Sequence, residues 1–216
     1  MKINGNTILE IGSGMSPIVT SKTDVVYCDI SFPALQILKK TPGKGLYVAA
    51  DCMELPFKEG SFANVVCSEV LEHVEDDRKA VGEIARVLSL SGSLVITFPH
   101  RKSYFSCDDR FVRHLRRYEL SEIKVLLEDS GLTIVKVSKV LGLLEKIIMI
   151  STTFLIEKLR CIKPAQKNDR KGMFSSPVFM IFFKLLNRLL VLLAWLDAKI
   201  TPLQYATVVM IKAKKK

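Results

Sequence analysis

No Cys-x-x-Cys pair or other compact metal spacing occurs among the five cysteines, Cys28, Cys52, Cys67, Cys107 and Cys161. That argues against a structural zinc cluster, and their scatter argues against a disulfide framework. Three of them fall in or beside apolar runs, where a free thiol serves as a small hydrophobe in a reducing compartment. Met1 to Asn6 reads as no cleavable signal, so a cytoplasmic location is expected. Histidine is scarce: imidazole chemistry must come from His73, His100 or His114. Extended polar composition is absent too, since 49% of the residues are hydrophobic, which excludes a generally disordered chain. At 216 residues one α/β domain with a substantial core, carrying an insertion, is the simplest organisation.

Charge is divided unevenly. Residues 1–100 carry a net −3 and residues 101–216 a net +13, so the basic character belongs to the second half. Such a half can attract anionic lipid, nucleic acid or an acidic substrate, or simply be solvated.

The first half is organised by apolar runs that end in acids. Ile8-Leu9-Glu10-Ile11 leads into Gly12-Ser13-Gly14, and Val25-Val26-Tyr27-Cys28 ends at Asp29. Leu46 to Ala50 ends at Asp51, and Phe62 to Cys67 ends at Ser68-Glu69. A Gly-x-Gly turn lets backbone approach a ligand closely, and a carboxylate at the end of the next strand can bind two ribose hydroxyls. In an open parallel sheet all these strand ends converge on one crevice.

This ordered set resembles the class I S-adenosylmethionine-dependent methyltransferases, especially the small-molecule, methyltransferase type 11 group that includes quinone-biosynthesis enzymes. Glu10 to Gly14 looks like the first motif, Asp29 like the ribose-binding acid and Asp51-Cys52-Met53 like the adenine-binding segment. Cys67 to Val74 and Leu88 to Ile96 are similar to the segments around the fourth and fifth strands. The resemblance implies a three-layer Rossmann-like α/β sandwich around a seven-stranded, mostly parallel sheet with an antiparallel last strand. It implies S-adenosyl-L-methionine as cofactor, held by Glu10, Gly12, Ser13, Gly14, Asp29, Ile30, Asp51, Cys52, Met53 and Ser68. Glu10 would hold the turn through backbone donors, and Ser68 would lie near the methionine end.

A dinucleotide oxidoreductase is the competing nucleoside enzyme, but Pro17 stands where its fingerprint needs a third glycine. Between Pro17 and Val25 only about a turn or two of helix fits, an unusually short first crossover. For a base, His100 and His114 are the candidates on the acceptor side. Some quinone O-methyltransferases resembling this region are metal-assisted, which makes Glu69, Glu72 and His73 conceivable ligands. On a helix, however, adjacent Glu72 and His73 point about 100° apart, and no metal is expected.

In the second half, Val81 to Leu88 reads as a helix and Leu94 to Phe98 as the fifth strand. Arg101 to Tyr118 reads as a basic, aromatic substrate-facing loop or short helix. A helix from Leu120 with Ser121 as its cap ends at Ser130-Gly131, and Leu132 to Val140 supplies strand six. Ala206 to Ala213 reads as strand seven. The roughly 65 residues before it are too many for a structureless loop. Helices over Leu141 to Arg160 and Pro177 to Leu196, joined by Lys163 to Ser176, are expected. The division is thus a core of 1–140 and 204–216 with a helical insertion over 141–203.

The second of these helices approaches membrane-spanning length, but Lys184, Asn187 and Arg188 collect on one side, which favours a helix lying in the membrane surface over a spanning one. Peripheral contact with an anionic membrane, a lid over the pocket and a homodimer face all use the same residue types and stay open. Nucleic acid is disfavoured, because no recognised module accompanies the Arg-aromatic segment. The function expected is methyl transfer to a small, apolar or lipid-linked acceptor; a noncatalytic cofactor-binding adaptor and a nucleic-acid methyltransferase are the alternatives.

Overall fold

The computed structural model describes residues 7–20, 24–40, 45–161 and 177–216. The expected connector Lys163 to Ser176 and the extreme amino terminus lie outside the described residues. The side chains of 177–187 also lie outside them, and with them most of the expected cationic stripe.

Seven strands form one sheet in the order β3-β2-β1-β4-β5-β7-β6. They are β1 (Ile8–Ile11), β2 (Val25–Asp29), β3 (Gly45–Ala49), β4 (Phe62–Ser68), β5 (Leu88–Pro99), β6 (Leu132–Leu141) and β7 (Val208–Lys215). The first five are mutually parallel, and β7 runs antiparallel between β5 and β6. β1 and β4 are adjacent, and the connections that leave them, to β2 and to β5, run toward opposite ends of the sheet, which creates the switch point at which open sheets bind ligands. The central strands are near-continuous apolar runs because both faces are covered; Leu9, Val26, Cys28, Val65, Cys67, Leu94, Ile96 and Ile211 are all fully buried.

Helices α1 (Phe32–Leu38), α2 (Asp77–Val87), α3 (Cys107–Phe111) and α4 (Leu120–Asp129) precede the longer α5 (Leu143–Cys161) and α6 (Pro177–Ile200). α2 starts where the Asp76 carboxylate accepts from the Lys79 N–H, and buries Ala80, Val81, Ile84, Ala85 and Val87 on one face. The start of α4 corrects the sequence expectation: Glu119, not Ser121, is the cap, in a capping box with Glu122. Gly131 then takes a φ of +77° just past its end. β5 begins earlier than expected, at Leu88. The Ser91-Gly92 turn is absorbed as a register shift against β4, with Ser91 at a φ of +58°. Among the described residues between β1 and β2 there is no helix, only turns and bends.

α5 and α6 lie between β6 and β7 in the chain and are tied to each other and to the sheet by polar contacts. Asp197 of α6 accepts from the Leu144 N–H at 2.8 Å and from the Thr201 hydroxyl at 2.7 Å. Thr207 donates to the Gly142 carbonyl at 3.0 Å. Lys146 of α5, 6% exposed, reaches both Asp108 oxygens at 2.9 and 2.8 Å and Asp109 at 2.9 Å. Among the described residues no helix is long and apolar enough to cross a membrane.

Candidate functional site

The carboxyl ends of β1 to β4 enclose a cavity of about 350 Å³ lined by Gly12, Asp29, Ile30, Asp51, Cys52, Met53, Glu69, Val70 and His73, among others. Its floor is set by the Gly-x-Gly turn. Gly12 adopts a φ of +73°, and a Cβ there would stand 2.2 Å from a Val70 methyl, so the Val70 side chain after β4 packs directly on the backbone of the turn. Glu10 holds this turn from behind: its two oxygens accept from the N–H groups of Ile18 and Val19 at 2.7 and 2.9 Å.

Asp29 accepts from the Gly14 N–H at 2.8 Å with one oxygen and from the Ser31 N–H at 2.7 Å with the other. Each carboxylate oxygen retains a second acceptor site, so the group stays able to take hydroxyl donors. Asp51 spends one oxygen on the Met53 N–H at 2.8 Å. Ile30, 76% exposed, and Met53 offer apolar surface between the two acids.

Not every expected residue reaches the cavity wall. Ser13 and Gly14 fall outside its lining, although the Ser13 hydroxyl is buried without a hydrogen-bond partner. Ser68 is also outside, its hydroxyl paired with Thr97 at 2.7 Å. The residue that turns inward is its neighbour Glu69, in the left-handed region at φ +51°, with one oxygen accepting from Thr97 at 2.8 Å.

The two histidines expected on the acceptor side are separated. His100 is 5% exposed, bonds the Ala206 carbonyl through Nδ1 at 3.0 Å and lines a different cavity with Arg101, Leu203 and Gln204. His114 instead packs edge-on against His73, ring centroids 4.8 Å apart. Its Nδ1 lies 2.9 Å from Asp109 and its Nε2 3.7 Å from Glu72. Leu71–His73 is one turn of 3-10 helix, where adjacent residues diverge by about 120°, more than on the α-helix expected, yet this divergence does not keep the Glu72 and His73 donor atoms apart. Their donor atoms and that of His114 lie within 4.8 Å of one another.

Electrostatics sharpen this corner. Glu72 is fully buried, and neither carboxylate oxygen has a hydrogen-bond partner. Burial, and then the neighbouring Glu69 charge, pushes its carboxyl well up from the ordinary range. Burial likewise raises Glu69, and burial followed by the His114 charge lowers His73. Around the corner a buried network compensates: Asp109 bonds Arg117 at 2.7 Å as well as His114 and Lys146. Burial alone would raise the Asp109 carboxyl, but hydrogen bonds from His114 and Lys146 outweigh it and hold the group well below its usual value.

Part of the sequence and the fold have counterparts among known proteins. Residues 9–96 match the family model of the methyltransferase domain. Over this segment the chain is similar to the S-adenosylmethionine-dependent methyltransferases. The matched segment of the methyltransferase domain runs from β1 into β5, which takes in Asp29, Asp51 and the Glu69 to His73 segment but stops before His100 and His114.

An uncharacterised protein of Methanocaldococcus jannaschii is 35% identical over 98 residues, 44% of this chain and 42% of that protein. The demethylmenaquinone methyltransferase of Paenarthrobacter aurescens is 34% identical over 101 residues, 44% of this chain and 40% of that enzyme. The chain therefore spans about two fifths of the length of these curated relatives. Among solved structures, the Haemonchus contortus phosphoethanolamine N-methyltransferase 2 in complex with S-adenosyl-L-methionine shares the fold. It has a TM-score of 0.58 and 20% identity, covering 100% of this chain and 49% of that one. The cyclase SpnF does so as well, with a TM-score of 0.62 and 16% identity, covering 98% and 76%.

Proposed function

We propose that the protein transfers a methyl group from S-adenosylmethionine to a small, apolar or lipid-linked acceptor. One observation carries this reading: Asp29 and Asp51, ending adjacent parallel strands, face a single cavity with Gly12. In this reading Asp29 accepts the ribose hydroxyls, Asp51 the adenine amino group, and Ile30 and Met53 sandwich the ring. The methionine end runs past Gly12 and Val70 toward Glu69 and His73. The reaction is an in-line displacement, so the protein contributes chiefly position and exclusion of water.

The acceptor class is inferred from two features. Relatives named demethylmenaquinone methyltransferases suggest a quinone-like ring. In addition, 141–203, which we read as an insertion into the core, leaves Ile147, Phe154, Val191, Leu192, Trp195 and Ile200 exposed. Apolar surface of this extent beside a strongly basic half suits peripheral contact with an anionic membrane and an acceptor entering from it. A pelleting assay with phosphatidylglycerol vesicles tests that contact; protein that stays in the supernatant would leave the apolar faces to a lid or a second copy.

Calorimetric titration of S-adenosylhomocysteine tests the cofactor site. Binding at one per chain, weakened at least tenfold by Asp29→Ala, is the expected result. A folded protein that binds none of it, or that prefers a nicotinamide dinucleotide, would overturn the reading.

A further inference from the structure

We propose that a second cavity, at the carboxyl end of β5, binds a phosphomonoester through Arg101 and His100. It measures about 790 Å³ and lies between these two residues, the start of α4 at Glu119 to Ser121 and the segment 202–204 that follows α6. It shares no lining residue with the cofactor cavity, so the site stands whether or not the methyl-transfer reading does.

The chain prepares a cation here and gives it no anion. The Arg101 guanidinium carbon lies 5.4 Å from the Tyr104 ring centre and 5.7 Å from that of Tyr205, and the group donates to the Gln204 carbonyl at 2.6 Å. Two aromatic faces and one neutral hydrogen bond thus fix the guanidinium without neutralising it. Among the described residues Arg101 forms no ion pair, whereas Arg78, Arg116 and Arg117 each pair with a carboxylate. Its Nε is buried with no hydrogen-bond partner, a cost that a native structure accepts for a reason. The backbone adds a second cost. Arg101 is held at φ +67° by a bond from its N–H to the Tyr118 carbonyl at 2.9 Å and by the Tyr104 N–H on its own carbonyl at 3.0 Å. Non-glycine residues in such conformations concentrate at ligand sites.

His100 supplies the complementary acceptor. It is 5% exposed, and its Nδ1 lies 3.0 Å from the Ala206 carbonyl. A carbonyl only accepts, so Nδ1 carries the hydrogen and Nε2 of the neutral ring is a lone pair, without a partner among the described residues. Glu119 lines the same cavity; one of its oxygens accepts from the Lys102 N–H at 3.0 Å and keeps a second acceptor site.

A ligand that satisfies this set brings anionic oxygens for Arg101 and a hydrogen for His100 or Glu119. A phosphomonoester brings both, because its second ionisation lies near pH 6 and its last proton can be shared with an imidazole. A sulfate ester or a phosphodiester brings the charge without the hydrogen. The cavity is also far larger than a phosphate group, and Leu120, Pro202 and Leu203 give its wall an apolar part for an organic body. Ile200, exposed at the end of α6, stands three residues before Leu203, so that body can be a soluble molecule or the chain of a lipid.

The test titrates the full-length protein calorimetrically with phenyl phosphate, and with phenyl sulfate as the control, at about pH 6, where the two differ by less than one charge. One phenyl phosphate per chain is expected, bound at least tenfold more tightly than the sulfate. Arg101→Gln should weaken it at least tenfold. His100→Asn keeps a donor for the Ala206 carbonyl but removes Nε2, and should erase the preference for phosphate over sulfate. Leu203→Asp, a half-exposed position, puts a repelling charge at the cavity and gives the same loss should either neighbouring variant misfold by circular dichroism. Glycerol 3-phosphate and dihexanoyl phosphatidic acid then separate the sources: tighter binding of the lipid supports a headgroup, equal affinities support a soluble phosphomonoester. No binding of phenyl phosphate by folded protein, equal binding of the sulfate, or an affinity unmoved by Arg101→Gln and Leu203→Asp overturns the site. S-adenosylhomocysteine binding is read on the same samples, and its loss in the wild type would count against the methyl-transfer reading alone.

Discussion

Replacing Gly12 by alanine perturbs the turn in two separable ways. The residue sits at φ +73°, where a side chain costs roughly 1–2 kcal/mol. The added Cβ would also meet a Val70 methyl at 2.2 Å, a contact that must be relieved by displacing Val70, at about 1–3 kcal/mol. Together these predict a loss of roughly 2–5 kcal/mol, or on the order of 5–15 °C in melting temperature for a chain of this size. Gly14 provides the internal control: its φ is +53°, but nothing lies within 4 Å of its Cβ position, so Gly14→Ala should show only the smaller, conformational part. Adding Val70→Ala to Gly12→Ala removes the clash and leaves the dihedral strain. Urea unfolding of the four proteins, with Val70→Ala as the fourth, should give a coupling energy of about 1 kcal/mol or more between positions 12 and 70. Equal losses for the two glycine variants, or additivity of Gly12→Ala and Val70→Ala, would refute the close approach of the turn to the segment after β4.

Three further outcomes follow from the same structure. Lys146→Met should cost about 3–5 kcal/mol in denaturant unfolding, because it removes the buried cation that three hydrogen bonds place on Asp108 and Asp109; a loss below about 1 kcal/mol would contradict that network. Glu10→Ala should destabilise by roughly 1–3 kcal/mol by orphaning the Ile18 and Val19 N–H groups, and thermal melts matching the wild type would count against it. Burial first, then the charge of nearby acids, pushes the thiols of Cys28 up to about 12 and Cys52 up to about 11. The unfolded thiols ionise near 8.5 while the folded ones keep their protons. Stability should therefore fall as pH rises from about 9 toward 11, less steeply in Cys28→Ala, and a flat profile across that window would disprove the assignment.

What the sequence made legible is local chemistry. Val25 to Asp29 reads as a buried strand ending in an acid because a strand covered on both faces must be apolar throughout and because its end meets solvent. β5 was harder. Leu88 to Gly92 carries turn residues, and only the pairing of Phe62 with Leu88 across the register shift shows that the strand begins there. Asp108 and Asp109 look like residues that start a helix, which Asp109 does by accepting the Ser106 N–H at 2.9 Å. Their second task, binding Lys146 from α5, depends on a distant segment and leaves no local trace. The same holds for His114, whose approach to Glu72 and His73 joins elements some forty residues apart. Glu69 rather than Ser68 faces the cavity because the backbone turns left-handed at the strand end, a choice that residue type does not announce.

The placement of β7 between β5 and β6 has a consequence for the order in which the protein can assemble. Everything needed for the β3-β2-β1-β4-β5 half is present in the first hundred residues. Among the described residues β6 has no neighbour in the sheet except β7, which lies beyond the whole of α5 and α6. A chain still being synthesised therefore leaves unpaired the β5 edge and the β6 edge that β7 covers, until β7 arrives and zips both ladders in a single event. The docking of β7 should be the slow, late step of folding, and truncation before Val208 should yield an aggregation-prone half-sheet rather than a smaller stable domain.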